Sequence, residues 1–250
     1  MRTTVVLPTY NEAENIGPMV EALLSLGVPG LSVLVVDDAS PDGTGEIADR
    51  LAAEYPGRIS VLHRVGPRGL GWAYLAGFRQ ALADGAEAIV QMDCDFSHNP
   101  ADVPRLLVHI PDYDLVIGSR YIPGGSTAEE WGWHRKLLSW WANFYARSLL
   151  GLRIRDVTGG FRAWKRETLE GIGLDRVHSQ GYIFQVETAC LCERMGYRIL
   201  EVPIRFEERR KGHSKMSLRV QIEAALRVWE VGWRYRQVKP QRTQRAQRTG

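Results

Sequence analysis

The sequence predicts an α/β fold with a mainly parallel sheet flanked by helices, and three observations carry that prediction. Apolar runs of strand length alternate with helix-period segments through the first half of the chain. Strands that alternate with helices favour right-handed βαβ units. The 250 residues suffice for one sizeable core and are marginal for two.

Thr3–Pro8 reads as a buried strand. Asn15 then caps a helix with Ile16, Val20, Leu23 and Leu24 on one face. Pro18 is tolerated there because first-turn amides have no intrahelical acceptor. Leu31–Val36 is a second strand and ends in Asp37-Asp38. Gly45–Tyr55 reads as a helix, Ile59–His63 as a third strand and Gly71–Asp84 as a helix. Ala88–Met92 is a fourth strand, ending at Asp93, and Leu115–Gly118 a fifth. The second half is less regular. Arg135–Leu150 and Leu218–Arg234 read as amphipathic C-terminal helices, and Arg198–Phe206 as a strand. Residues 1–237 are expected to form one catalytic domain, and 238–250 a basic, disordered tail.

Composition narrows the setting. The three cysteines Cys94, Cys190 and Cys192 form no CxxC pair, which fits a reducing compartment and argues against structural zinc. The apolar start Val5–Leu7 stops at Pro8, so no signal peptide is expected. No stretch approaches the ~18 apolar residues of a membrane span. A cytoplasmic location is therefore expected, peripheral at the inner face of a membrane. Six basic residues and no acid follow Glu230, so the net charge of +3 would be −3 without them. That tail reads either as a solvated end or as a contact with anionic lipid. Nucleic acid is not expected as a partner, because no aromatic platform or recognition motif accompanies the charges.

In an open parallel sheet, ligands bind beyond the carboxyl ends of the strands. Asp93-Cys94-Asp95 follows a strand and sits at that edge, where carboxylates two apart can share a divalent cation. Asp112-Tyr113-Asp114 has the same spacing but precedes a strand, so it reads as a solvated turn at the opposite edge. Asp37-Asp38 and the run Pro8-Thr9-Tyr10-Asn11-Glu12 also end strands at the ligand edge. Asp38 suits a base or ribose, while Asp42 or Thr44 suits a helix cap. A crevice of acids would repel a nucleotide diphosphate. A hard cation, Mg²⁺ or Mn²⁺, resolves that by bridging the two. No GxxxxGK[ST] is present, and Gly66, Gly69 and Gly71 do not form GxGxxG. Phosphate-binding cations are expected from Arg120, from Arg135 one helical turn before Ser139, and from the basic run Arg209–Lys215. Trp131, Trp133, Trp140 and Trp141 crowd one helical stretch, which reads either as an interfacial segment or as a buried core helix.

These residues together resemble the dolichol-phosphate (polyprenol-monophosphate) mannosyltransferases, a branch of the family 2 glycosyltransferases. The motifs are PTYNEAENI, VVDDASPDGT, MDCDFSHNP, GSRYIPGG, TGGFR, GYIFQVE and EVPIRFEERRKGHSK, and the resemblance runs from about residue 3 to 235. It implies the GT-A fold, with a Rossmann-like sheet. It also implies inverting, metal-dependent transfer of mannose from GDP-mannose to a dolichyl or polyprenyl phosphate at a membrane surface. Pro8, Tyr10, Glu12, Val36 and Asp38 would hold the nucleoside, and Asp93 and Cys94 would lie along the donor. Asp95 and Ser97, beside Asp93, would hold the metal. Arg120, Arg209 and Lys215 would meet donor phosphates, with Asp95, Arg120 and Lys215 serving the reaction itself. Arg135, Ser139 and Arg120 would receive the lipid phosphate. Cys94 replaces the usual alanine, and Ser97 stands where some members have glutamine. A glucosyl or other sugar transferase of the same fold, and a non-catalytic nucleotide- or lipid-binding module, remain the alternatives.

Overall fold

The computed structural model describes residues 1–129, 132–208 and 218–238, and the side chains of all of these except 218–224. The chain runs β1 (Thr3–Thr9), α1 (Ile16–Leu24), β2 (Leu31–Asp37), α2 (Thr44–Glu54), β3 (Ile59–His63), α3 (Leu70–Ala83) and β4 (Ala88–Gln91). It continues with α4 (Val103–Leu107), β5 (Leu115–Ser119), β6 (Ser126–Thr127), α5 (Trp133–Leu150), β7 (Arg162–Lys165) and α6 (Arg166–Ile172). The last elements are α7 (Tyr182–Arg194), β8 (Ile199–Pro203), β9 (Arg205–Phe206) and α8 (Leu218–Arg234).

Seven strands form one sheet in the order β3-β2-β1-β4-β7-β5-β8. Only β7 runs antiparallel, pairing β4 on one side and β5 on the other. β6 and β9 form a separate short parallel ribbon, with Ser126 opposite Arg205. Successive residues on β1 point to opposite faces. Val6 joins the core layer made with α3, α5, α6, α7 and α8, while Val5 and Leu7 join the layer made with α1, α2 and α4. A strand buried on both faces needs a continuous apolar run, and TTVVLPT supplies one. Gly77 lets α3 lie close against the sheet, since a Cβ there would come 2.4 Å from Val6 Cγ1 and 2.9 Å from Val36 Cγ2.

Two details differ from the sequence reading. Asn15 does occupy the N-cap of α1, but its side chain makes no cap hydrogen bond and donates instead to Glu12 Oε2 at 2.7 Å. The strand expected over 198–206 breaks at Ile204 into β8 and β9. Among the described side chains of α8, Val228 and Val231 are buried, whereas Leu226, Trp229 and Trp233 are exposed. Val238 still packs against the core. The rest of the expected tail, 239–250, lies outside the described residues.

Candidate active site

The strand order reverses between β1 and β4, so their carboxyl ends open a crevice at the topological switch point. Backbone strain marks the same place. Among the described residues, the non-glycine positions with positive φ are Asn11 (62°), Ala39 (55°) and Phe96 (62°). They lie in the loops leaving β1, β2 and β4, respectively. Such strain persists where surrounding contacts over-determine the loop, and it clusters at functional sites.

At the β1–β2 end, Asp37 serves the turn. Its Oδ1 accepts from Ser40 Oγ at 2.5 Å and Thr9 Oγ1 at 3.3 Å. Asp42 accepts from the Thr44 amide at 3.1 Å and the Ala13 amide at 3.1 Å, which ties the start of α2 to the loop after β1. Asp38 is gripped differently. Arg64 pairs with its Oδ1, and the Gly69 amide donates to Oδ2 at 2.9 Å. Arg68 lies over the Tyr10 ring at 4.6 Å and donates to its hydroxyl at 2.7 Å. Pro8 and Glu12 are half-buried beside this group, and the Glu12 amide donates to Thr44 Oγ1 at 2.9 Å. Val36 is fully buried, with its side chain facing α3 at Gly77, so any ligand contact from it is through backbone.

The acid pair follows β4. Asp93 Oδ1 accepts from Tyr74 Oη at 2.8 Å, and the Asp93 amide donates to His98 Nδ1 at 3.1 Å. Burial and then the Asp93 charge push the Tyr74 phenol well up, so it stays a donor. His98 stacks on Phe161 at 5.1 Å, and because its Nδ1 is an acceptor the neutral ring carries its proton on Nε2. Asp95 is 5% exposed, and its Oδ1 accepts from the Ser97 amide at 3.0 Å and Ser97 Oγ at 2.5 Å. Cys94 turns into the core, where burial and the neighbouring acids Glu12, Asp95 and Asp93 push its thiol well up. It is an inert space-filler between two placed carboxylates.

Whether these groups suit a divalent cation turns on the donor set. Among the described residues, no three His, Cys, Asp or Glu side chains gather to form a protein-only cage. Two fixed carboxylates and a serine oxygen are hard donors, and Mg²⁺ is commonly held by one or two carboxylates completed by substrate phosphates and water. The residues present fit a cation of that substrate-completed kind. Asp114, the member of the second acid pair nearest a strand, instead accepts from the Arg198 amide at 2.7 Å at the opposite edge.

The cationic side lies across the crevice. Arg120 leaves β5 and forms a fork with Asp156, Nε to Oδ2 and Nη2 to Oδ1, both at 2.8 Å. Burial opposes charge on each partner. The opposite charge and the hydrogen bonds outweigh it, so Asp156 lies below the usual carboxylate range and Arg120 above its own. The Arg120 guanidinium lies 5.1 Å from the Tyr121 ring, and the Tyr121 hydroxyl meets Ser139 Oγ at 2.7 Å. Ser139 is thus joined to Arg120 through Tyr121. Arg135, one turn earlier on α5, pairs with Glu208 Oε1 at 3.0 Å. Arg209 and Lys215 lie outside the described residues.

Sequence reasoning did not find Tyr74, His98, Arg64 or Asp156. Tyr74, Arg64 and Asp156 act on partners 19, 26 and 36 residues away, and His98 on Asp93, 5 residues away. The only signal was for His98, which lies in the MDCDFSHNP motif; Tyr74, Arg64 and Asp156 lie in none of the quoted motifs.

The reversal at β1 and β4 and the antiparallel β7 are those of the GT-A fold, and the family match makes the chain a glycosyltransferase of that fold. The chain matches the family described as Glycosyl transferase family 2 over residues 4–173, and it belongs to that family. It is 49% identical over 232 residues to an undecaprenyl-phosphate mannosyltransferase of Micrococcus luteus, covering 93% of this chain and 94% of that one. It is 48% identical over 236 residues to a polyprenol monophosphomannose synthase of Mycolicibacterium smegmatis, covering 94% and 88%. Among solved structures, a mannosyltransferase from Pyrobaculum calidifontis in complex with GDP-Man and Mn²⁺ superposes with TM-score 0.60 at 24% identity, over 90% of this chain and 61% of that one. A glucosyl-3-phosphoglycerate synthase from Mycobacterium tuberculosis gives 0.63 at 20% identity, over 92% and 78%. At those identities the superpositions show the fold alone.

Proposed function

We propose that this enzyme transfers mannose from GDP-mannose to the phosphate of a polyprenyl lipid of the dolichyl type, giving polyprenyl phosphate mannose and GDP with inversion. The observation that carries this reading is the continuous link from Arg120 through Tyr121 to Ser139. It joins the crevice edge at β5 to α5, whose outer face is aromatic. The names of the two relatives that match nearly the whole chain support the mannosyl group and the lipid phosphate.

In the proposed reaction a phosphate oxygen of the acceptor attacks the anomeric carbon. The bond from that carbon to the β-phosphate oxygen breaks, and its electron pair leaves with GDP. A phosphate monoester has its second pKa near ~6, so the nucleophile is already an anion and no general base is needed. The protein's task is to hold two anions together. Arg120, Arg135 and Ser139 take the acceptor phosphate, and Arg120, Arg209 and Lys215 the departing diphosphate. Asp95 and Asp93, with the Ser97 oxygen, would hold a divalent cation, which supplies charge neutralisation at the diphosphate. Pro8, Tyr10, Glu12, Asp38 and the Val36 backbone line the nucleoside end.

The test is direct. The enzyme is incubated with labelled GDP-mannose, GDP-glucose or UDP-glucose, a short polyprenyl phosphate and Mg²⁺ or Mn²⁺. Labelled lipid from GDP-mannose alone, abolished by chelator, is the expected result. Transfer from a glucose donor, or none from any, overturns the reading.

The acceptor assignment has its own test. Glu208 pairs with Arg135 at an exposed position and competes with any phosphate there. Arg135→Ala is expected to raise the acceptor KM by about 10–100-fold, the worth of one charge-assisted hydrogen bond, with the donor KM nearly unchanged. The reverse pattern moves Arg135 out of the acceptor site.

We place the enzyme peripherally on the cytoplasmic face of a membrane. No helix among the described residues is long and apolar enough to cross one. Instead α5 exposes Trp133 (77%), Leu137 (54%), Trp140, Trp141 (50% each) and Phe144 (49%), and the adjacent α8 exposes Leu226, Trp229 and Trp233. Aromatic and aliphatic groups flanked by Arg135, Lys136 and Arg147 suit the headgroup boundary. The enzyme should float with anionic phospholipid vesicles, and Trp140→Ser with Trp141→Ser should weaken that. Flotation unchanged by the double substitution rejects this face.

A further inference from the structure

Arg120 is held in one orientation by a cradle that the reaction scheme above leaves without a role. Of the five guanidinium protons of an arginine, the one on Nε goes to Asp156 Oδ2, and the two on Nη2 go to Asp156 Oδ1 and Thr158 Oγ1, all at 2.8 Å. The Arg120 amide adds a third bond to Asp156, the second at Oδ2, at 2.9 Å. The two protons on Nη1 have no acceptor among the described residues. The Tyr121 and Phe206 rings lie 5.1 and 5.3 Å from the guanidinium carbon. Asp156 is itself fixed. It is fully buried, and its amide and that of Arg155 donate to Glu201 at 2.9 and 2.8 Å. The next amide, Val157, donates to Asn143 Oδ1 at 2.9 Å, and the Asn143 amide group returns a bond to the Arg155 carbonyl. Thus β8 and α5 both clamp the loop that carries Asp156.

We propose that Asp156 is a positioning residue that aims the Nη1 edge of Arg120 at the substrate phosphate, with Thr158 completing the grip. The inference rests on the reading of Arg120 as a phosphate contact. Its physical content is the difference between a charge and a direction. Asp156 cancels most of the Arg120 charge at long range, so the arginine offers two fixed N–H donors rather than a free cation. A site that must accept one phosphate and release another gains from donors set in place before either arrives. A strong unbalanced cation would instead hold product as tightly as substrate.

The experiment is a double-mutant cycle on the full chain, with donor and acceptor varied separately. Asp156→Asn removes the charge and one of the two acceptor oxygens, and should lower kcat/KM for the acceptor by about 100-fold. Arg120→Lys has no fork to aim, so in that background Asp156→Asn should cost at most about twofold more. Thr158→Val leaves both charges in place and should lower the same parameter by about tenfold, which keeps the idea testable if Asp156→Asn folds poorly. Thermal melts measure the folded fraction of each variant. Additive losses in the two backgrounds, or losses accounted for by folded fraction alone, overturn the positioning role. Undiminished transfer in Arg120→Lys removes the phosphate reading itself. Transfer lost in Arg120→Lys but intact in both Asp156→Asn and Thr158→Val removes only the positioning role.

Discussion

Asp95→Ala should lower sugar transfer by about 1000-fold or more, to the floor of a radiolabel assay. The carboxylate is 5% exposed and receives two hydrogen bonds from Ser97, so it is fixed before any ligand arrives. Asp93, the other carboxylate of the proposed cation site, already gives one oxygen to Tyr74, and Asp38 is tied to Arg64 and the Gly69 amide. The substitution also leaves the Ser97 hydroxyl without its acceptor, so the folded fraction must be measured alongside turnover. Asp112→Ala is the matched control, because it alters the same spacing at the opposite sheet edge, and it should stay within about twofold of the parent enzyme. Near-normal turnover of Asp95→Ala with Mg²⁺ or Mn²⁺ present would falsify the cation assignment. Loss of donor binding as well as turnover would place Asp95 on the ground-state diphosphate and not only on its departure.

The first half of the fold was legible because its central strands β1, β2 and β4 are buried on both faces and β3 is a short apolar edge strand bounded by turns. Thr3–Thr9, Leu31–Asp37 and Ile59–His63 all lie within a residue of the sequence reading. The second half hid its elements for physical reasons. β7 is four residues long and reads Arg-Ala-Trp-Lys, which has no strand signature until Arg162 is seen to be buried. In α7 the ten residues Ile183–Cys192 are all buried, so the helix has no polar face and no amphipathic period to find. The crevice acids were legible because a strand end is a sequence feature. The groups that hold the site were not, because Tyr74 reaches Asp93, and Asp156 reaches Arg120, through the fold. The aromatic cluster on α5 was legible as composition, and only its exposure in the fold sets aside the buried core helix.

Arg162→Met should cost about 3–5 kcal/mol of folding stability and lower the urea midpoint by about 1–2 M. The TGGFR motif invites a ligand role for this arginine, but its guanidinium is fully buried and spent on the protein. Nε donates to the Gly159 carbonyl at 2.9 Å, and Nη2 to the carbonyls of Val157 and Gln185 at 3.1 and 3.0 Å. Nη1 reaches Thr188 Oγ1 at 2.8 Å. Burial holds its pKa down to about 10, against the raising influence of Cys192, Asp156 and other neighbours, yet it remains charged at neutral pH. Four of the five guanidinium protons are used in these bonds, and a buried charge among neutral acceptors depends on them, so methionine would orphan the acceptors without restoring them to water. Lysine should rescue poorly, since one ammonium cannot span the fork between α7 and the 157–159 loop. That loop carries Thr158 and continues from Asp156, so Arg162 secures from below what Asp156 and Thr158 present to Arg120 above. The expected signature is therefore a loss of stability first, with kcat of the remaining folded enzyme falling less. Unchanged urea stability with transfer abolished would make Arg162 a ligand contact, and the motif a binding loop instead of a staple.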